Sequence, residues 1–197
     1  AVGQGVFNKI LVHISVETVA AYQVAGRLDM LVFLPIFSIA ASLTTLIGMF
    51  YGAKEYEALR FTIRYGIFSA LIITIFSSAM VYIFANQVVR FFTEDESIVI
   101  IAVNFLQIFA FAYPFIAVGI TTGRVLQGLG KGLPVLVITI VRVLGVSAPL
   151  SLFFIFVMDK SVEWVWYSMM LSTVVAFAIG LTWLVSTVKK LPVKNTV

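Results

Sequence analysis

A few charged side chains lie inside or beside long apolar runs of the sequence, and their chemistry needs an explanation. Asp29 directly precedes a long uncharged run, and Arg142 interrupts another. A charge inside a membrane-spanning helix is costly, so it pairs with another group or faces a pathway for ions or ligands. Asp29 therefore has two interpretations: a structural ion pair with Lys9 or Arg27, which we favour, or a contact for a cationic ligand.

Three basic residues, Lys9, Arg27 and Arg142, are the predicted buried charges. Lys9 and His13 are four residues apart and therefore share one face of a helix. We expect Lys9 to meet a carboxylate or cavity water, and we expect His13 to pack through a hydrogen bond rather than to carry protons. Arg142 either extends its guanidinium towards the membrane surface or forms an ion pair within the bundle.

A second group of polar side chains is spaced as one face of a helix. Asn104, Gln107, Phe111 and Pro114 follow one another at intervals of three and four residues. Carboxamides in hydrocarbon need hydrogen-bond partners, so this face either lines a cavity or contacts another helix. The candidate substrate contacts are Asp29, Asn104, Gln107, Phe111 and Tyr113.

Two prolines lie inside apolar runs that are long enough to span a membrane. Pro35 and Pro114 each remove a backbone donor from a helix and favour a bend at that point. We therefore expect both positions to be hinge candidates in a protein that changes shape.

The composition indicates an integral membrane protein. Hydrophobic residues make up 61% of the chain and charged residues 11%, against about 25% charged in soluble domains, and the mean hydropathy is +1.10. The absence of Cys excludes disulfides and thiolate metal sites. The glycine-rich stretch at 128–132 lacks the spacing of a nucleotide-binding loop. We expect no enzyme activity, no metal and no cofactor, and we attribute the net charge of +4 to basic loops rather than to a nucleic-acid partner.

The apolar runs predict an all-α, polytopic membrane helix bundle. About 20 apolar residues are needed to cross a bilayer. The predicted transmembrane lobe covers residues 1–190, with a cytoplasmic tail at 191–197 that we expect to be disordered. Its predicted spans are 1–16, 28–51, 63–86, 97–123, 132–157 and 164–188. The first run is short for a span, and we expect it to be part of a helix that begins before residue 1.

The basic residues between the spans predict the orientation. One side of the membrane collects eight of them: Lys54, Arg60, Arg64, Arg124, Lys131, Lys189, Lys190 and Lys194. The other side collects two, Arg90 and Lys160. Because Lys and Arg concentrate in cytoplasmic loops, the first side, with the C-terminus, is predicted to be cytoplasmic.

Three motifs resemble the multidrug and toxic compound extrusion (MATE) transporters. An Ala-Ala-Tyr-Gln start at 20–23, a mid-helix Pro35 and a Gly-Ala-Lys exit at 52–54 resemble the eighth helix of that family. The Leu-Gln-Gly-Leu-Gly exit at 126–130 resembles the end of the tenth helix. Pro134 and Arg142 fall where the eleventh helix often has them.

The resemblance implies one lobe of a two-lobe, inverted-V transporter, with helices seven to twelve and a truncated seventh helix. It implies a cation-coupled antiporter (H⁺ or Na⁺) in a prokaryotic plasma membrane, which exports cationic or amphipathic organic compounds. The implied partners are the lipid bilayer, a small-molecule substrate and an N-terminal six-helix lobe of the same protein. Two alternatives are a lipid-linked oligosaccharide flippase of the same superfamily and a non-transporting membrane assembly subunit.

Two departures from the family pattern concern the coupling ion. The acid that some members carry on the seventh helix would lie at or before Ala1. The Asp that others carry on the tenth helix, about three turns before the Gln-Gly exit, falls at the apolar residues 115–117. We therefore expect the coupling site in the N-terminal lobe.

The orientation gives a topology prediction. A reporter fused after Lys194 should be cytoplasmic, and one inserted at Glu94 should be external, because the basic residues lie on the side of Lys194. Paired phosphatase and fluorescent-protein fusions in the full-length protein measure both positions. The reverse labelling would contradict the orientation, and with it most of the span numbering.

Overall fold

The chain folds as a bundle of long helices in the computed structural model, which describes residues 2–192. No β-strand occurs among these residues. The helices are α1 (Val2–Val12), α2 (Val16–Gly52), α3 (Tyr56–Arg90), α4 (Glu96–Ala110), α5 (Tyr113–Gly128), α6 (Leu133–Val157) and α7 (Glu163–Lys189). The all-helical fold class predicted from the apolar runs is confirmed.

Four of the described helices, α2, α3, α6 and α7, are long and apolar enough to cross a membrane, and α4 with α5 makes a fifth span if the two are counted together. Large apolar side chains of α3 stand exposed on the outside of the bundle, among them Phe61, Phe68 and Phe76. A contiguous exposed apolar surface of this kind belongs in lipid. The chain is an integral membrane protein.

Helix boundaries follow capping groups rather than the limits of the apolar runs. The Ser15 hydroxyl accepts a hydrogen bond from the Thr18 backbone N–H at 3.1 Å and begins α2 twelve positions before the predicted span. The Asp95 carboxylate accepts from the Ser97 N–H at 2.9 Å and begins α4. A side-chain acceptor satisfies the free N–H groups of a first turn, so polar residues can extend a helix past the bilayer.

The span expected at 97–123 is two helices. α4 ends at Ala110 and α5 begins at Tyr113, with an angle of 59° between them. Pro114 lies in the first turn of α5, where its missing N–H costs nothing because that group has no partner in the helix. The sequence placed Pro114 inside a helix, but in the structure Pro114 lies at the beginning of one. Pro35 lies within the uninterrupted α2, as expected.

α6 contains two π-helical stretches. The backbone is π-helical at Val141–Ser147 and again at Phe153–Val157, with a short α-helical segment between them that holds Pro149. Proline has no backbone N–H, so one hydrogen bond is missing from the helix, and π-turns are a local departure from α-helical hydrogen bonding. Arg142 lies in the first of these stretches.

Contacts between loop ends show which helix ends share a side of the bundle. The Arg60 guanidinium donates to the Leu191 carbonyl oxygen at 3.0 Å, so the start of α3 lies beside the end of α7. At the opposite end, the Asn104 amide donates to the Glu163 carboxylate at 2.8 Å. Arg90 pairs with Glu96 there at 2.8 Å, across the loop from α3 to α4.

Two helices pack closely where the ends of α2 and α5 meet. A Cβ added to Gly128 would stand 2.7 Å from the Thr44 carbonyl oxygen and 3.0 Å from Ile47 Cβ. Both obstacles belong to α2, and the nearer one is backbone, which cannot turn aside. Gly128 therefore lets two helices touch through their main chains, as small residues do in membrane bundles.

Gly128→Ala should lower the stability of the bundle by about 1–3 kcal/mol, because the added methyl group overlaps the α2 backbone. Gly119→Ala is the matched control in the same helix, since a Cβ there meets nothing within 4 Å. Thermal unfolding of the purified protein in detergent measures both variants. Equal melting temperatures for the two would show that the contact between α2 and α5 is looser than described.

Candidate functional site

Asp29 is hydrogen-bonded to a tyrosine that is distant in the sequence. The Tyr113 hydroxyl donates to Asp29 Oδ1 at 2.5 Å, and the Tyr113 side chain is 0% exposed. The predicted ion pair of Asp29 with Lys9 or Arg27 is wrong. Among the described side chains, the one ion pair is between Arg90 and Glu96. The carboxylate is thus held by a neutral donor on α5.

Asp29 lines a cavity of about 770 Å³, which we call the Asp29 cavity. Its walls come from α2, α4, α5, α6 and α7. Its amide and charged lining residues are Gln23, Arg27, Asp29, Arg124, Gln127 and Arg142. Arg124 donates to the Gln127 side-chain oxygen at 3.2 Å, while Gln23 donates to Asn8 of α1 at 3.2 Å. The cavity therefore collects three guanidinium groups and one carboxylate.

Aromatic rings form much of the remaining wall of the Asp29 cavity. Tyr22 and Phe105 line it, and both contact the fully buried Trp166. Tyr22 stacks on Trp166 with centroids 5.9 Å apart, and Phe105 meets Trp166 edge to face at 4.8 Å. Such a wall suits an apolar or aromatic ligand body.

The predicted amide face lines a different cavity. Asn104, Gln107 and Phe111 lie in a space of about 740 Å³, the Asn104 cavity, between α3, α4 and α7. Phe111 meets the ring of Tyr82 there, with centroids 5.6 Å apart. Phe105, on another face of the same helix, lines the Asp29 cavity. The sequence placed these side chains together with Asp29 as one set, and the structure divides the set between two cavities.

The remaining candidates differ in whether they reach a cavity. Lys9 and Arg27 are exposed rather than buried, although Arg27 still borders the Asp29 cavity. Tyr113 is behind the wall and acts through Asp29 rather than as a lining residue. His13 Nδ1 lies 2.7 Å from the Lys9 carbonyl oxygen. The His13 ring meets the Phe156 ring edge to face, with centroids 5.9 Å apart.

Sequence reasoning did not identify Tyr22, Arg124 and Gln127 as site residues. Tyr22 and Gln127 belong to motifs that carried the family resemblance, the Ala-Ala-Tyr-Gln start and the Gln-Gly exit, and Arg124 lies two residues before that exit. The signal was therefore present, but a motif at a helix end does not show which way its side chains point. No group of three His, Cys, Asp or Glu side chains able to hold a metal ion forms within residues 2–192.

Tyr113→Phe should destabilise the protein by about 1–3 kcal/mol, because it leaves the Asp29 carboxylate without its donor. Asp29→Asn keeps an acceptor for the Tyr113 hydroxyl and should cost less. Tyr82→Phe is the control, since Tyr82 is half exposed and its hydroxyl bonds to no described residue. Thermal unfolding of the three purified variants measures this order. A larger loss for Asp29→Asn than for Tyr113→Phe would contradict the hydrogen bond as the main role of Asp29.

Comparison with curated proteins finds similar sequences among bacterial proteins named as probable multidrug resistance proteins. The chain is 27% identical over 154 residues to the "Probable multidrug resistance protein NorM" of Thermotoga maritima, which covers 78% of this chain and 32% of that protein. It is 30% identical over 95 residues to a protein of the same name from Acinetobacter baylyi, covering 48% of this chain and 21% of that protein. The chain thus spans about a third or less of these relatives.

Solved structures show the same arrangement of helices. A MOP superfamily transporter from Pyrococcus furiosus matches with a TM-score of 0.89 at 26% identity, over 99% of this chain and 44% of that one. The outward-facing conformation of a multidrug resistance MATE family transporter matches with a TM-score of 0.88 at 26% identity, over 96% of this chain and 42% of that one.

The family model described as MatE matches residues 2–153, which is more than half of the chain. The match includes the Ala-Ala-Tyr-Gln start, the Gln-Gly exit, and the residues of α2, α4 and α5 that line the Asp29 cavity. The chain belongs to the MatE family.

Proposed function

We propose that this chain is the C-terminal lobe of an efflux antiporter that exports amphipathic organic compounds in exchange for H⁺ or Na⁺. The observation that carries the proposal is the Asp29 cavity. It combines aromatic walls with a few charged groups in a volume of about 770 Å³. Sites for small organic molecules have this size and this mixture of surfaces.

The proposed lobe covers residues 1–190, followed by a cytoplasmic tail at 191–197, most of which lies outside the described residues. The match to 42–44% of solved transporter chains supports a second lobe of similar size in the whole protein. Transporters built from two repeated halves bind substrate between them, near the middle of the membrane. The bacterial relatives support a prokaryotic plasma membrane as the location.

The coupling ion is proposed to bind outside this lobe. Asp29 is the one carboxylate that borders its cavity in the described part of the chain, and its Oδ1 accepts the Tyr113 hydrogen bond. The apolar residues at 115–117 offer no ligand for a cation. An acid of the N-terminal lobe is therefore proposed to exchange H⁺ or Na⁺ during transport.

Pro35 and Pro114 are proposed as the points where the lobe bends during the transport cycle. The 59° angle between α4 and α5 already places a bend beside Pro114. Hinges absorb a change of shape at a few positions near helix ends, and this break supplies one such position.

Full-length protein reconstituted in liposomes should export a fluorescent aromatic compound. Export should stop when the gradient of the coupling ion, either H⁺ or Na⁺, is collapsed. Gln127→Ala should slow export by roughly twofold to tenfold, because it removes one polar contact from the cavity wall. Gln87→Ala is the matched control on exposed α3, outside both cavities. Export that neither gradient drives, or equal rates for the two variants, would contradict the proposed function.

A further inference from the structure

We propose that the Asp29 cavity recognises amphipathic compounds that carry an anionic group, which Arg142 and Arg27 bind. The inference rests on the proposed function in assuming that the bound compound is exported. Binding itself can be measured without transport. The family resemblance implied cationic substrates. The ligand proposed here instead has an aromatic or aliphatic body joined to a carboxylate, sulfonate or phosphate.

The first argument is the charge of the cavity wall. Arg27, Arg124 and Arg142 border it, and Asp29 is the one acid among its described lining residues. Arginine stays protonated in proteins, so the wall carries three positive charges against at most one negative charge. A ligand cation would meet net repulsion there, whereas an anion would be attracted.

The second argument is the state of the donors. Among the side chains that the structure describes, which exclude those of residues 2–4 and 6, Arg27 and Arg142 have no hydrogen-bond or ion-pair partner, whereas Arg124 donates to Gln127. The carboxylate that could have paired with them is held by Tyr113 instead. Two guanidinium groups, each with five N–H donors, are thus available to a ligand.

The position of Arg142 makes an unpaired guanidinium costly. It is half-buried in a membrane-spanning helix, nine positions after the helix start at Leu133. An ionised side chain at such depth needs an anionic partner or water. An anionic ligand group would accept two parallel hydrogen bonds from one guanidinium, a geometry that carboxylates, sulfonates and phosphates share.

The backbone also presents Arg142 in an uncommon way. It lies in the π-helical stretch Val141–Ser147, and π-turns within α-helices are frequent at functional sites. In the same cavity wall, Phe33, Phe37 and Phe115 supply apolar surface for the ligand body. The wall therefore offers a charged end and an apolar region within one volume of about 770 Å³.

Two other arrangements would use the same residues. Arg142 could pair with an acid of the N-terminal lobe, which would make it a structural contact. Alternatively, Asp29 with the aromatic rings could bind a cation through charge and cation–π contacts. Each arrangement predicts a different response to loss of one arginine, so binding measurements separate them.

The test uses the purified full-length protein in detergent and two probes that share one aromatic body, naphthalenesulfonate and trimethylnaphthylammonium. Equilibrium dialysis should show tighter binding of the sulfonate. Arg142→Gln should weaken sulfonate binding by about tenfold, equal to about 1.4 kcal/mol, and leave ammonium binding unchanged or stronger. Arg27→Gln should act in the same direction, and as an exposed position it keeps the test available if Arg142→Gln does not fold.

Arg64→Gln is the matched control, because it removes the same charge from an exposed position of α3 outside both cavities. Equal effects of Arg64→Gln and Arg142→Gln, tighter binding of the ammonium probe, or equal loss of both probes in Arg142→Gln would each overturn the inference. A parallel titration with phosphatidylglycerol distinguishes a lipid from a solute as the source of the anionic group.

Transport of the same probes separates the inference from the proposed function. Sulfonate that binds in an Arg142-dependent way but is not exported would contradict efflux and leave the inference standing. Export of the ammonium probe together with no binding of the sulfonate would overturn the inference and leave efflux standing.

Discussion

The hydrogen bond from Tyr113 to Asp29 connects α5 to α2, the two helices on which the functional surface depends. Tyr113 begins α5 immediately after the break from α4, so its side chain fixes the bend between these helices against α2. In hydrocarbon a polar group without a partner is expensive, and this constraint is stronger there than at a water-exposed site. Asp29 is the one acid among the described residues of the cavity wall, and no ion pair joins it to the arginines there.

The order of the helices could be predicted because apolar runs and loop charges are local features of the sequence. Their ends could not, since Ser15 and Asp95 extend helices through hydrogen bonds that hydropathy does not measure. A bend was expected at Pro114, but the separation into two helices at Phe111 and Ala112 was not, because the run on both sides of Pro114 is uncharged. A proline favours a bend, but neighbouring helices decide whether the helix kinks or restarts.

The site was predicted only in part, for a related reason. Helical spacing grouped Asn104, Gln107 and Phe111, and all three line the Asn104 cavity, but spacing alone does not say which neighbouring helix they face. The partner of Asp29 was sought among charged residues close in the sequence, and it proved to be a neutral hydroxyl 84 positions away. Such a pairing is fixed by the packing of α5 against α2, which no local pattern contains.

The π-helical stretch around Arg142 has a consequence for how this helix changes over evolutionary time. A π-turn holds an additional residue compared with an α-turn, while each backbone N–H keeps an acceptor within the helix. A membrane helix can therefore admit a single inserted residue without exposing an unpaired backbone group to lipid. Loss of that residue would turn the remainder of α6 by about 100° relative to its start, since one residue occupies that angle in an α-helix. The two halves of α6 can thus change the faces they present independently of each other.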